Sequence, residues 1–143
     1  LMGAALTGAV AGLSYWFPKM SGRMLHEKAS LISLLLVQGG FQILYLGMFI
    51  AGAEGQPRRV AAFAQDYSLS NMISTGGAYL IGLGFIILLW AVVHSWRHGE
   101  VAPMNPWGAK SLEWTVPYPV PLVNFDTPPV VTSDPYGFGR SEK

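Results

Sequence analysis

The 143 residues contain no cysteine, which excludes disulfides, zinc–thiolate sites, iron–sulfur clusters and thiol catalysis. Charge is also scarce. Asp, Glu, Lys and Arg make up 12% of the chain, about half the share of a soluble domain, against 51% hydrophobic residues. Such a composition suits lipid better than a water-solvated core. The net charge is +1, with no basic run and no interleaving of basic and aromatic residues, so no nucleic-acid partner is expected. No acidic residue sits inside a long apolar run, which leaves out a buried proton-relay or ion-coupling acid of the transporter kind. No nucleophile elbow, phosphate loop or paired-acid motif is present.

What is present is three uncharged runs. Leu1 to Pro18 carries no charge and includes Gly8-Ala-Val-Ala-Gly12, a small-residue face suited to close helix packing. Pro18 and Gly22 are expected to end it. Ala29 to Ala53 gives 25 uncharged residues and Tyr67 to Trp96 gives 30. A helix needs about 20 apolar residues to cross the hydrocarbon core, so the second and third runs span and the first is truncated. The start, Leu1-Met2-Gly3, is apolar with no basic leader and does not read as a signal peptide. It reads as a chain entered in mid-helix, either a fragment or one piece of a split subunit. The expected architecture is an all-α membrane protein with helices at about 1–18, 27–54 and 68–98, the last capped by Ser68 or Ser70.

From about Gly99 the character changes. Seven of the ten prolines lie between Pro103 and Pro129, among Trp107, Trp114, Tyr118 and Phe125. Proline at this density forbids regular helix or central strand. Disordered chains are poor in aromatics, so 99–143 reads as an extended, ordered tail laid over one face of the membrane region. Its end, from Ser133, reads as loose. The first connection holds Lys19, Arg23 and Lys28, and the second holds Arg58 and Arg59. Three basic residues against two favour the first connection and the tail on the cytoplasmic or matrix side.

Arg58 and Arg59 are the leading candidates for chemistry. They sit in Glu54-Gly55-Gln56-Pro57-Arg58-Arg59, a short turn between two membrane-length runs. A guanidinium keeps its charge and must find an anion or water. Two uses stand open. Interfacial arginines anchor phospholipid headgroups. A turn shaped by Pro57 and by Gly52 and Gly55 also suits bidentate binding of the carboxylates of a membrane-embedded cofactor. The three histidines offer less. His26 lies in the first connection; His94 and His98 share one helix face but lack a third ligand, and beside Trp96 and Arg97 they read as interfacial anchors. None lies near the centre of an uncharged run, so this chain alone cannot hold a haem by its iron. Gln38 and Gln42, one turn apart, are expected to face the bundle interior and bond to a neighbouring helix, with a cofactor contact as the alternative.

Several segments together resemble a known family. They are Tyr15-Trp16-Phe17-Pro18-Lys19-Met20-Ser21-Gly22-Arg23-Met24, then Gly55-Gln56-Pro57-Arg58-Arg59, then Asp66-Tyr67 with Asn71-Met72-Ile73-Ser74. Asn105-Pro106-Trp107-Gly108-Ala109-Lys110-Ser111-Leu112-Glu113-Trp114 follows, with Pro117, Pro119, Pro121 and Asn124-Phe125. In this order and spacing they resemble the C-terminal end of subunit I of haem-copper terminal oxidases, the cytochrome c oxidase family. The family's aromatic-aromatic-proline and histidine before the arginine turn are replaced here by Ile43-Leu44-Tyr45-Leu46-Gly47-Met48-Phe49.

The resemblance implies the tenth to twelfth helices of a twelve-helix bundle. It places the arginine turn on the outer side of a bacterial plasma membrane or mitochondrial inner membrane. It implies that Arg58 and Arg59 contact propionates of the low-spin and high-spin haems, while the iron ligands and those of copper B lie upstream. The implied activity is oxidation of cytochrome c (or quinol) with reduction of oxygen to water and proton pumping. The implied partners are the remainder of subunit I, subunits II and III, cytochrome c and membrane lipids. No catalytic residue and no metal ligand is expected in this segment, which is not active alone. The competing reading is a small three-helix structural or assembly protein with a lipid-binding arginine turn.

Overall fold

In lipid a backbone must satisfy its own polar groups, so long uncharged runs become helices. The computed structural model describes residues 2–118, 120–123, 125, 127–130 and 134. Its three helices are α1 (Met2–Ser21), α2 (Glu27–Ala53) and α3 (Ser68–His98), with short 3₁₀ turns at Gln65–Tyr67 and Leu112–Trp114. The fold is thus mostly helical, and two stretches, Glu27–Ala53 and Gln65–His98, are long and apolar enough to cross a membrane.

α2 and α3 pack as an antiparallel hairpin along a seam rich in small residues. Ser33, Gly40 and Gly47 are buried on α2, and Ser70, Gly77, Gly84 and Ala91 on α3, each recurring every seventh residue. A seven-residue repeat keeps one seam facing its partner along the whole length. The small residues let the backbones touch. A Cβ on Gly40 would fall 2.7 Å from the carbonyl oxygen of Gly77, and one on Gly77 would fall 2.6 Å from that of Gly40. Ser74 Oγ donates to Leu44 O at 3.1 Å and to Ser70 O at 3.0 Å, so a hydroxyl also crosses the seam.

The Gly8–Gly12 face does not take part in this packing. A Cβ on Gly8 meets nothing, and one on Gly12 meets only Trp16 of its own helix. The close-packing glycines are those of α2 and α3. α1 also runs past the proline expected to end it. Pro18 falls in the last turn, where its missing N–H costs the ladder one bond. The turn then closes through Ser21 Oγ donating to Phe17 O (2.9 Å) and Gly22 N donating to Pro18 O (2.8 Å). Gly22, at φ 70°, ends the helix.

The residues after α3 fold back on the end of α1. Arg23 and Val101 form an isolated antiparallel bridge, Met24 N donates to Glu100 O (2.8 Å) and Ala102 N to Gly22 O (2.9 Å). Arg23 Nη1 donates to Gly99 O at 2.6 Å. Farther on, Trp107 Nε1 donates to Tyr15 O at 2.9 Å and its ring stacks on Tyr15. Trp114, 2% exposed, is buried against Tyr15 and lies under Lys19 Nζ, which also donates to Val116 O. Tyr118 donates its hydroxyl to Ser21 O (2.9 Å) and covers Gly22, where a side chain would strike its ring. The stretch from Ser133 lies outside the described residues apart from Asp134.

Candidate functional site

The hairpin places its two connections at opposite ends. At one end α2 stops at Ala53, and Gly55, at φ 93°, reverses the chain. The turn is closed by hydrogen bonds on both sides. Gln56 N donates to Ala51 O (3.0 Å) and Gly55 N to Gly52 O (3.1 Å). Asn71, in the first turn of α3, donates through Nδ2 to Gln56 Oε1 at 3.0 Å and to Tyr67 O at 2.8 Å. Gln56 Nε2 returns a long 3.5 Å bond to Asn71 Oδ1, and the Tyr67 hydroxyl donates to Glu54 O at 3.4 Å.

Arg58 and Arg59 follow Pro57 at the tip of this turn, and both are exposed. Arg59 has φ 59°, in the left-handed region that costs a non-glycine residue about 1–2 kcal/mol. Among the described residues neither guanidinium makes a hydrogen bond or ion pair within the chain, nor does the nearby Glu54 or Asp66 pair with them. The arrangement is two permanent cations on adjacent positions of a pinned turn. Planar forks presented this way suit two carboxylates or two phosphates.

α3 begins without the serine cap expected for it. The 3₁₀ turn Gln65–Tyr67 runs straight into the helix, so Tyr67 takes the cap position with no side-chain bond, and Ser70 is buried in the seam.

The histidines gather at the other end. His26, placed by sequence in a loop, is the N-cap of α2: its Nδ1 accepts from Ala29 N at 3.2 Å, and its own N–H donates to Ser95 Oγ at 2.8 Å. His94 stacks on Trp90 (4.9 Å), and its ring lies 5.9 Å from His26 and 5.4 Å from His98. No group of three or more metal-ligating side chains among the described residues could hold a metal ion.

Gln38 and Gln42 are exposed in this chain and make no hydrogen bond among the described residues. With Gly3, Ala4, Thr7 and Phe41 they line a groove between α1 and α2. Within the described residues the expected interhelical bond does not form, because both glutamines lie on the side of α2 away from the α2–α3 seam of Ser33, Val37, Gly40 and Gly47. Sequence reasoning also missed the Gln56–Asn71 pair. An amide in the first turn of a membrane helix, facing another in the preceding turn, was the available signal.

These features define a helical membrane protein with a cationic turn at one end of a close-packed hairpin. A model of the family described as "Cytochrome C and Quinol oxidase polypeptide I" matches residues 1–80. The chain is 38% identical over 139 residues to cytochrome c oxidase subunit 1 of Thermostichus vulcanus, covering 97% of this chain and 25% of that protein. It is 38% identical to cytochrome c oxidase subunit 1 of Corynebacterium glutamicum, covering 94% of this chain and 24% of that protein. For the same subunit of Bacillus sp. PS3 the identity is 37%, with 92% of this chain and 22% of that protein covered. The chain belongs to the cytochrome c and quinol oxidase polypeptide I family. It spans about a quarter of the length of the curated relatives it matches.

Proposed function

We propose that this chain is part of the catalytic subunit of a proton-pumping terminal oxidase, which oxidises cytochrome c and reduces oxygen to water. Its local task is to hold haem propionates through Arg58 and Arg59. In this reading α1, α2 and α3 are the tenth to twelfth helices of a twelve-helix subunit. Residues 1–98 lie in the membrane, the arginine turn faces the outer side, and 99–143 form a tail on the cytoplasmic or matrix side. The membrane is a bacterial plasma membrane or a mitochondrial inner membrane. The partners are the remainder of subunit I, subunits II and III, cytochrome c and membrane lipids.

The observation that carries this reading is the arginine pair: both side chains are exposed, neither is paired among the described residues, and Arg59 sits at φ 59° on a hydrogen-bonded turn. Strain of this kind persists where the surrounding structure over-determines it, which is typical of ligand clamps. A lipid anchor gains nothing from a fixed backbone, whereas binding carboxylates of a cofactor held in place by the rest of the subunit does. The residues therefore fit the propionates of a haem. When bound, the low-spin and high-spin haems, with copper B, supply electron transfer and oxygen reduction; their iron and copper ligands belong to the rest of the subunit. This chain's residues bind and orient. Two guanidiniums neutralise the propionates and, by adding positive charge near the iron, favour its reduced form.

The test is Arg58→Gln and Arg59→Gln in the complete oxidase, read by redox titration of the haem absorption bands. Each variant should lower a haem midpoint potential, on the order of the 59 mV that corresponds to a tenfold change for one electron. Unchanged potentials in both variants overturn the propionate assignment and leave headgroup anchoring as the use of the turn.

A further inference from the structure

Between Glu54 and Ala64 the described side-chain hydrogen bonds that tie the turn to the start of α3 are the Gln56–Asn71 amide pair and the Tyr67 hydroxyl on Glu54 O; the one backbone bond, Tyr67 N to Ala64 O at 3.1 Å, lies at the far end of the loop. The amide pair lies at the base of the turn, because Gln56 is followed by Pro57 and then directly by the arginines. Pro57 has one backbone torsion locked, so little freedom separates the fixed Gln56 from Arg58. Asn71 is held in turn by its bond to Tyr67 O at 2.8 Å, while its own carbonyl receives Thr75 Oγ1 at 2.8 Å. Both amides are half-buried and both arginines are exposed. An apolar pair would pack this corner of a membrane protein without desolvating two amides, and asparagine is a weak helix former. Stability alone does not account for the choice.

We propose that Gln56 and Asn71 are positioning residues for Arg58 and Arg59: the reciprocal amide pair sets the orientation of the turn and hence where the two guanidiniums point. This rests on the propionate reading and adds to it the part of the chain that aims the cations. The amides touch neither haem nor propionate in this proposal; they act through the backbone of Pro57.

The experiment uses the complete oxidase with Gln56→Leu, Asn71→Leu, the swapped pair Gln56→Asn/Asn71→Gln, and Arg58→Gln/Arg59→Gln with and without Asn71→Leu. Haem midpoint potentials and the absorption band positions of the reduced haems are measured. The single leucine variants should lower the potential by a fraction of the drop in the double arginine variant, and the swapped pair should restore it. Asn71→Leu should add nothing once both arginines are gone. If the arginine variants lower the potential and the leucine variants do not, positioning is overturned and the propionate reading stands. If the leucine variants lower it while the arginine variants do not, both fall. No change in any variant removes the propionate reading and the positioning with it. Gln56 lies on the turn outside the α2–α3 seam, so Gln56→Leu answers the question even if Asn71→Leu fails to assemble.

Discussion

Trp114 Nε1 donates to the hydroxyl of Tyr15 at 2.9 Å, fastening the Pro-rich tail to α1. Tyr15 is the hub of this corner. Its ring stacks on Trp107 at 6.2 Å and meets Trp114 edge-on at 5.2 Å, and its backbone carbonyl receives the Trp107 indole N–H. α1 touches α2 little by comparison: a Cβ on Gly3 would strike Phe41 near the start of the helix, while Gly8 faces open space. The tail, rather than the hairpin, holds the far end of α1.

Tyr15→Phe keeps the ring and removes the acceptor of a buried indole N–H. It should destabilise the complete subunit by about 1–3 kcal/mol, the cost of leaving such a donor unpaired. Trp114→Ala should cost about 3–5 kcal/mol, as large aromatic truncations in a packed site do. Because the two residues share one bond, their double variant should lose less than the sum, with a coupling of about 0.5–3 kcal/mol in a double-mutant cycle on thermal unfolding. Additive losses would show that the bond contributes nothing to holding the tail.

The hairpin seam predicts a contrast between neighbouring glycines of α3. Gly77→Ala places a Cβ 2.6 Å from Gly40 O, against backbone that cannot swing aside, and should destabilise by about 1–3 kcal/mol or more. At Gly76 a Cβ meets nothing, so Gly76→Ala should be neutral or stabilising by up to about 1 kcal/mol through helix propensity. Thermal unfolding of both variants in the same detergent decides it. Equal effects would mean that the close approach of the two helices does not govern stability.

How much of this was legible follows the physics of each element. The helical, membrane-capable character of α2 and α3 is written in their uncharged runs, which are too long for a barrel strand and long enough for a helix that satisfies its own backbone. The seam was legible in principle: Ser33, Gly40, Gly47 and Ser70, Gly77, Gly84, Ala91 mark a seven-residue period that the Gly8–Gly12 pair drew attention away from. His26 as a helix cap was not, because histidine is outside the usual capping set and its role depends on Ser95 holding its backbone from α3. The start of α3 at Ser68 was legible, but its cap was not, for a related reason. A 3₁₀ turn supplies the entry geometry, so no serine is needed there. The Gln56–Asn71 pair depends on the path of the intervening loop, which no local pattern specifies. The arginines could be nominated from their position, yet their lack of a partner among the described residues, and the left-handed backbone of Arg59, needed coordinates.

That backbone separates two roles of Arg59. Glycine adopts φ 59° at no steric cost, so Arg59→Gly should leave the thermal stability of the complete oxidase unchanged or raised by up to about 1 kcal/mol. It should nevertheless lower the haem potential as far as Arg59→Gln does, because both variants delete the same cation. Arg59→Val places a β-branched residue in the left-handed region and should destabilise by about 1–2 kcal/mol with the same loss of potential. Redox titration and thermal unfolding of the three variants side by side give two independent orders. The potential should not distinguish glycine, glutamine and valine, and the stability should fall from glycine to glutamine to valine. If Arg59→Gly proves the least stable of the three, the arginine is not strained at this position, and its conformation loses its standing as a sign of a ligand clamp.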